Sequence, residues 1–304
     1  MIPISDNGAY NPKWLKELEQ LPELEILENN LRELIETDKS NLSLNEIGDL
    51  FFKKVIFFSN QSEVVKLTVF NELRIWRARK NVGKHEDLTT PKSFSYPPMC
   101  SENGRCNLKA HPVFYGSINM ATAIFEVKPN IGEELFISDW QSSCERDIHA
   151  RFLLPENVSE SSPLSALTQS RLETISNFSN LHGHNKVPHL ELISRFIGNY
   201  FVQEDHPYSL TSWLGNKILF DSDDLDLFFY ASAKNKTGTL NLAIRTNFVD
   251  RYLRNSRVYQ IRIVSIVGTA INFDILSVAQ NVDNILMWRT PEQSDIQYLQ
   301  TGLA

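Results

Sequence analysis

Apolar residues recur at helical intervals through roughly the first 60 positions and at alternating positions after residue 72. That change of period is the main structural signal in the chain. Asn11-Pro12 offers a cap followed by proline at the first helical position, and Trp14, Leu15 and Leu18 follow with helical spacing. Pro22 interrupts, then Leu24, Leu27, Leu31, Leu34 and Ile35 continue one apolar face. Ser43-Leu44-Asn45-Glu46 has the form of a capping box, in which the serine accepts from the third helical N–H and the glutamate reaches back. Ile47, Leu50, Phe51, Val55 and Phe58 supply the next face. The spacing predicts a helical N-terminal region over residues 1–66. It is too small to bury a sizeable core of its own, so it is expected to dock on the rest of the chain or on a partner.

Beyond it, Leu73, Ile75, Arg77 and Arg79 alternate with Arg74, Trp76 and Ala78, the pattern of a strand. Residues 81–111 are polar and rich in Pro, Gly and Ser, and read as a long loop of the kind that is often functional. Val113–Ser117 reads as a short strand, and Asn119 can cap a helix carrying Met120, Ala123, Ile124 and Val127. Strands are predicted at 133–140 and 147–154, a polar linker at 156–170, and helices at 189–203 and 210–219. Two further strands, 225–231 and 239–246, are joined through Lys234-Asn235-Lys236-Thr237-Gly238. Strands at 257–267 and 271–276 finish the pattern. The order does not follow regular βαβ winding, so the fold class expected is α+β, with residues 67–304 as one mixed-sheet domain.

Composition is that of a globular chain, with 42% hydrophobic and 22% charged residues. The net charge of −7 is concentrated in residues 1–65, which hold 12 acidic and 6 basic residues. No basic cluster is available for phosphate backbones, so nucleic acid is not an expected partner. No apolar run reaches the ~18 residues of a membrane span, and Met1–Trp14 lacks the basic start and apolar stretch of a secretory leader. Cys100, Cys106 and Cys144 fit reduced thiols and a cytoplasmic location.

Several motifs are excluded or bland. His182, His184 and His189 have no cysteine or carboxylate at zinc spacing and read as polar loop residues. The run Asp221 to Asp226 lacks the glycine and terminal glutamate of a calcium loop and reads as a solvated turn. No metal site is therefore expected. There is no phosphate-binding glycine loop, and Ser232 lacks the flanking glycines of a nucleophile elbow.

The stretch 104–127 is different. Arg105, Tyr115 and Glu126 fall within 22 residues, and a strand–turn–helix can bring the ring of Tyr115 and the carboxylate of Glu126 together. Spacing alone does not separate a catalytic Glu126 from a helix-surface glutamate. Ordered around the stretch are Trp76-Arg77-Ala78-Arg79, Gly104-Arg105-Cys106-Asn107, Phe114-Tyr115-Gly116-Ser117 and Ala121-Thr122-Ala123-Ile124-Phe125-Glu126. Later come Tyr208-Ser209-Leu210-Thr211, Phe229-Tyr230-Ala231-Ser232 and Asn241-Leu242. Over about residues 74–246 this succession resembles the RES domain family. The loop before Gly104 is longer than in compact members, and the helical extension resembles the region fused to larger ones.

The resemblance implies an ADP-ribosyltransferase-like mixed-sheet fold and action on NAD+. Its members are toxins of toxin–antitoxin pairs that remove nicotinamide from NAD+. It implies catalytic roles for Arg105, Tyr115, Glu126 and Ser232, and binding roles for Arg77, Asn107, Ser117 and Asn241. An arginine, Arg105 first and Arg77 second, would clamp the pyrophosphate. Tyr115 would stack on nicotinamide, and Glu126 would stabilise the oxocarbenium-like ribose. Ser232 would donate to the nicotinamide amide or a phosphate. No cofactor is implied beyond NAD+ as substrate. Water, inorganic phosphate as co-substrate (held by Arg77 or Arg79) and a protein side chain all stay open as acceptor. An antitoxin and a second copy of the chain are the implied protein partners.

Overall fold

The computed structural model describes residues 18–55, 63–80, 86–155, 186–203, 207–221, 225–232 and 239–303, together with positions 4, 5, 16, 82, 169 and 173. The Asn11-Pro12 cap, Phe58, nearly all of the 156–170 linker, His182, His184 and the 234–238 connector lie outside the described residues. In chain order the elements are β1 (Ile4–Ser5), α1 (Leu24–Glu36), α2 (Leu44–Val55), β2 (Glu63–Val65), α3 (Leu67–Glu72), β3 (Arg74–Lys80), β4 (Val113–Ser117), α4 (Met120–Glu126), β5 (Glu134–Ser142) and β6 (Ile148–Leu153). There follow α5 (Val187–Gln203), α6 (Leu210–Phe220), β7 (Leu227–Ala231), β8 (Leu240–Arg245), α7 (Thr246–Tyr252), β9 (Leu253–Val267), β10 (Ala270–Val282), β11 (Ile285–Arg289) and α8 (Gln293–Leu303). Strand pairing is mixed and the class is α+β. Helices α1 and α2 form in the N-terminal region as the periodicity predicts, with the short strands β1 and β2 on either side of them.

The chain divides into two compact units, each assembled from separate segments. The first comprises Met1–Val65, Met99–His111 and His149–Ala231; the second comprises Lys66–Pro98, Pro112–Ile148 and Ser232–Ala304.

In the first unit, α1 buries Leu27, Leu31 and Leu34, the residues its period of 3.6 places on one face. The Ser43–Glu46 capping box is formed: the Ser43 N–H donates to Glu46 Oε2 at 2.8 Å, and the Glu46 N–H donates to Ser43 Oγ at 3.3 Å. Phe51 of α2 packs against Trp213 of α6, with ring centroids 5.3 Å apart. Strands run in the order β1-β2-β6-β7, with β6 and β7 parallel. β7 is a continuous apolar run, as a strand covered on two faces is, whereas β6 also carries His149 and Arg151, and Phe152 stacks on Phe229 at 4.7 Å. Helix α5 covers them with Leu190, Ile193, Phe196, Ile197 and Phe201. His189 belongs to this helix rather than to a loop: it is buried, and its Nε2 lies 2.9 Å from the Pro22 carbonyl oxygen.

In the second unit the strands run β8-β4-β3-β5-β9-β10-β11, antiparallel throughout. One face carries α4 and α8 over a core of Trp76, Met120, Ile124, Ile137, Tyr259, Ile261 and Leu299. The strands predicted at 257–267 and 271–276 are longer than their apolar alternation, because β9 and β10 pair along 253–282 with polar side chains on the solvent side. Asp283 and Asn284, both at positive φ, turn β10 into β11. On the far side of β11, the Leu286 N–H donates to the Thr89 carbonyl and the Trp288 indole N–H to the Leu88 carbonyl, each at 2.8 Å. No helix among the described residues is long and apolar enough to cross a membrane.

Helix α8 is fastened by charge. Asp295, with no exposed surface, accepts from both terminal nitrogens of Arg289 at 2.7 and 2.9 Å and from the Glu292 N–H at 2.9 Å. The Tyr298 ring lies between the guanidinium groups of Arg74 and Arg257, at 4.2 and 4.4 Å, and its hydroxyl donates to buried Asp139. Burial of the Asp295 carboxyl pushes its pKa up, but hydrogen bonds from Arg289 and Glu292 and the charges of Arg289 and Arg257 outweigh that and hold it below the ordinary value. A depressed native pKa means stability that is fully present above the unfolded value, near ~4, and is lost as pH falls through the native one. Acid titration followed by circular dichroism should therefore show Asp295→Asn less stable than the wild type at pH 7. The gap between the two should narrow below pH ~4.

Candidate active site

The site is built on three neighbouring strands of the second unit. Ser117 of β4 is the register partner of Trp76 on β3 and of Asn241 on β8. Residues opposite one another share a face and alternate residues along a strand return to it. Trp76, Tyr115, Ser117 and Asn241 therefore point to one face, the face on which α4 packs. Gly116 between them faces the other way, where an added Cβ would sit 2.5 Å from Ile75 Cγ2. The Asn119 side chain accepts from the Thr122 N–H at 3.0 Å and starts α4, as the sequence predicts. The helix ends at Glu126, over the sheet.

The carboxylate of Glu126 is held at one oxygen. Oε1 accepts from Ser232 Oγ and from Asn241 Nδ2, both at 2.7 Å, while Oε2 accepts no hydrogen bond among the described residues. Asn241 is buried and its amide orientation is fixed by this contact, since a reversed amide would set oxygen against carboxylate. Its Oδ1 has no hydrogen-bond partner among the described residues. Ser232, also buried, anchors its own N–H on the Thr239 carbonyl at 3.1 Å. The Ser232 hydroxyl, which the family resemblance offers to a nicotinamide amide or a phosphate, donates to Glu126 in this structure. Ser117 is fully buried and donates to the Leu240 carbonyl at 3.1 Å, a contact that joins β4 to the start of β8. Tyr115 is half-buried, two residues before Ser117 on the same face.

Arg77 is a neighbour of Trp76 in sequence and so leaves β3 on the opposite face. Its guanidinium lies over the Phe114 ring at 5.3 Å and donates to the Tyr115 carbonyl at 2.7 Å. Arg79, two residues on, shares that face and forks onto Glu86 at 2.9 and 3.2 Å. Neither arginine is on the Glu126 side of the sheet.

Arg105 and Asn107 belong to the first unit. Gly104 and Asn107 bridge a tight turn that holds Arg105 buried, stacked on the Tyr208 ring at 4.7 Å and donating to the Phe201 carbonyl. Asn107 donates to the Leu108 carbonyl at 2.9 Å. Gly215 of α6 lets the turn approach closely, because a Cβ there would lie 2.6 Å from Cys106 Cα. Tyr208 also lines a cavity of about 460 Å³ in this unit, together with Lys39, Ser43, Ile47 and Lys109. Among the described residues no group of three or more His, Cys, Asp or Glu is arranged to hold a metal ion.

A family model, the RES domain, matches residues 74–266, well over half of the chain. The chain belongs to the RES domain family. The matched RES region contains all eight candidate residues and leaves β1, α1, α2, β2, α3, β10, β11 and α8 outside. No curated protein matches the chain. Membership is consistent with an NAD-related, toxin-like module. Thr122, quoted in the Ala121–Glu126 motif without a role, and Thr239, outside every motif, lie beside Glu126 and its partners. The signal in the sequence is the spacing of four between Thr122 and Glu126, which puts both on one side of α4.

Proposed function

We propose that this RES-domain protein breaks the nicotinamide–ribose bond of NAD+ and transfers the ADP-ribosyl group to water. The observation that carries the proposal is the fixed carboxylate of Glu126, with Oε1 engaged by Ser232 and Asn241 and Oε2 left for a ligand. The C1′–N bond breaks and its electron pair leaves with nicotinamide, so positive charge develops on the ribose. A preorganised carboxylate oxygen stabilises that charge without having to reorganise during the reaction. Water then bonds to C1′ and loses a proton to solvent. Tyr115, on the same face of the sheet, offers its ring to the nicotinamide. Water is favoured over inorganic phosphate because Arg77 and Arg79, the cations the sequence offers for a phosphate, leave β3 on the face opposite Glu126. As a consumer of NAD+ the protein acts as a cytoplasmic toxin or defence effector that an antitoxin partner restrains.

Incubating the purified full chain with NAD+ labelled in its adenosine should yield free nicotinamide and ADP-ribose in equal amounts. Absence of nicotinamide overturns the proposal. A phosphorylated ADP-ribose formed only when phosphate is added would make phosphate the acceptor, and label on protein would make the enzyme a transferase.

A further inference from the structure

The geometry points to Thr122 and Thr239 as positioning residues that set the Glu126 carboxylate, an inference that rests on the reaction proposed above. Helix α4 has seven residues, fewer than two turns, and a helix so short does not hold itself. Met120 and Ile124 seat it in the core, and a pair of contacts to residues 239–241 sets its register there. Thr122 Oγ1 lies 2.6 Å from Thr239 Oγ1, and Glu126 Oε1 lies 2.7 Å from Asn241 Nδ2. Four residues along a helix rise about 6 Å and two residues along a strand span about 6.8 Å. The Thr122–Thr239 and Glu126–Asn241 contacts are therefore matched rungs between α4 and residues 239–241.

Core packing of Met120 and Ile124 holds the apolar side of α4, and the two rungs fix the height and the angle of its polar side. The first rung is tied further. Thr122 Oγ1 lies 3.3 Å from the Asn119 Oδ1 that caps the helix, so a single chain, Thr239 to Thr122 to Asn119, orients each hydroxyl proton. Asn119 donates its N–H to Ser117 Oγ at 3.3 Å, and Ser117 Oγ donates to the Leu240 carbonyl. Thr239 also accepts the Ser232 N–H on its carbonyl. Thr239 thus supports both groups that hold Glu126 Oε1: Ser232 through its backbone, and Asn241 through the rung that aligns the helix. Thr122 is fully buried and reaches no reacting atom, so its effect on the reaction passes through Glu126.

The test uses the full chain with Thr122→Val and Thr239→Val, which keep the branched shape and remove the hydroxyl. A small displacement of a catalytic group is costly, so each variant should lower kcat for nicotinamide release roughly tenfold while KM for NAD+ moves less than about twofold. Thr122→Ser and Thr239→Ser should recover most of the rate. The double valine variant should fall no further than either single one, because the two hydroxyls make one rung. An unchanged kcat in the valine variants, serine variants as poor as valine, or additive losses would each overturn the inference. A second readout does not depend on turnover: exchange of the Asn241 side-chain amide protons, followed by NMR, should quicken in both valine variants. If the wild type releases no nicotinamide, the proposed reaction fails. The exchange rates then decide the rungs by themselves, and unchanged rates reject them.

Discussion

Glu126→Gln should lower nicotinamide release from NAD+ by at least about a hundredfold, with the thermal midpoint and the circular dichroism spectrum close to those of the wild type. The expected separation of activity from folding follows from the two bonds to Oε1. A glutamine can set its amide oxygen where Oε1 stands and still accept from Ser232 and Asn241. What it lacks is negative charge at the second position, the one property the proposed transition state needs. Glu126→Ala is a poorer probe. It removes the oxygen to which the buried Asn241 amide and Ser232 hydroxyl donate, and so loses stability along with activity. A glutamine variant with the wild-type rate would remove Glu126 from the chemistry.

The second large effect is structural. Gly198→Ala should destabilise the first unit by about 3 kcal/mol or more and lower the thermal midpoint by roughly 5–10 °C. Helix propensity argues the other way, since alanine in a helix interior is favoured over glycine by about 1 kcal/mol. The clash outweighs it. A Cβ on Gly198 would fall inside the carbonyl group of Leu154 and 2.9 Å from Pro155 N, and these are backbone atoms that cannot swing aside. Helix α5 would have to move off the end of β6, carrying Phe201 away from Phe228 and from the carbonyl contact that holds Arg105. Calorimetry on the two proteins decides it, and a midpoint raised by alanine would contradict the close approach.

Much of the local structure is legible in the sequence because it is fixed by near neighbours. The Ser43–Glu46 box, the Asn119 cap, Val113–Ser117 and the buried stripe of α1 depend on residues within a turn or a strand of one another. The end of the chain is less legible. β11 follows a two-residue turn after a long, half-polar strand, and α8 is held by Arg289, Asp139 and Arg74 rather than by a strong apolar face. At the site, Glu126, Ser232 and Asn241 stand out as candidates, but their contacts span 106 and 115 residues. Which strand lies beside β4 is a matter of topology, and no local pattern states it. Trp76 and Arg77 show the limit of motif reading most directly. They are adjacent in the sequence, yet a strand sends adjacent side chains to opposite faces, so only Trp76 supports the helix that bears Glu126.

The segment around Leu88 and Thr89 has an effect on assembly. An outermost strand normally exposes amide and carbonyl groups that can template another chain. Here the outward amide of Leu286 is already satisfied, and the Trp288 indole is pinned beside it. A strand added at this border would have to displace the Leu88–Thr89 segment from the Leu286 amide and the Trp288 indole. What this end of the molecule leaves in solvent beside that segment is apolar: Val282, Ile285 and Met287 are exposed.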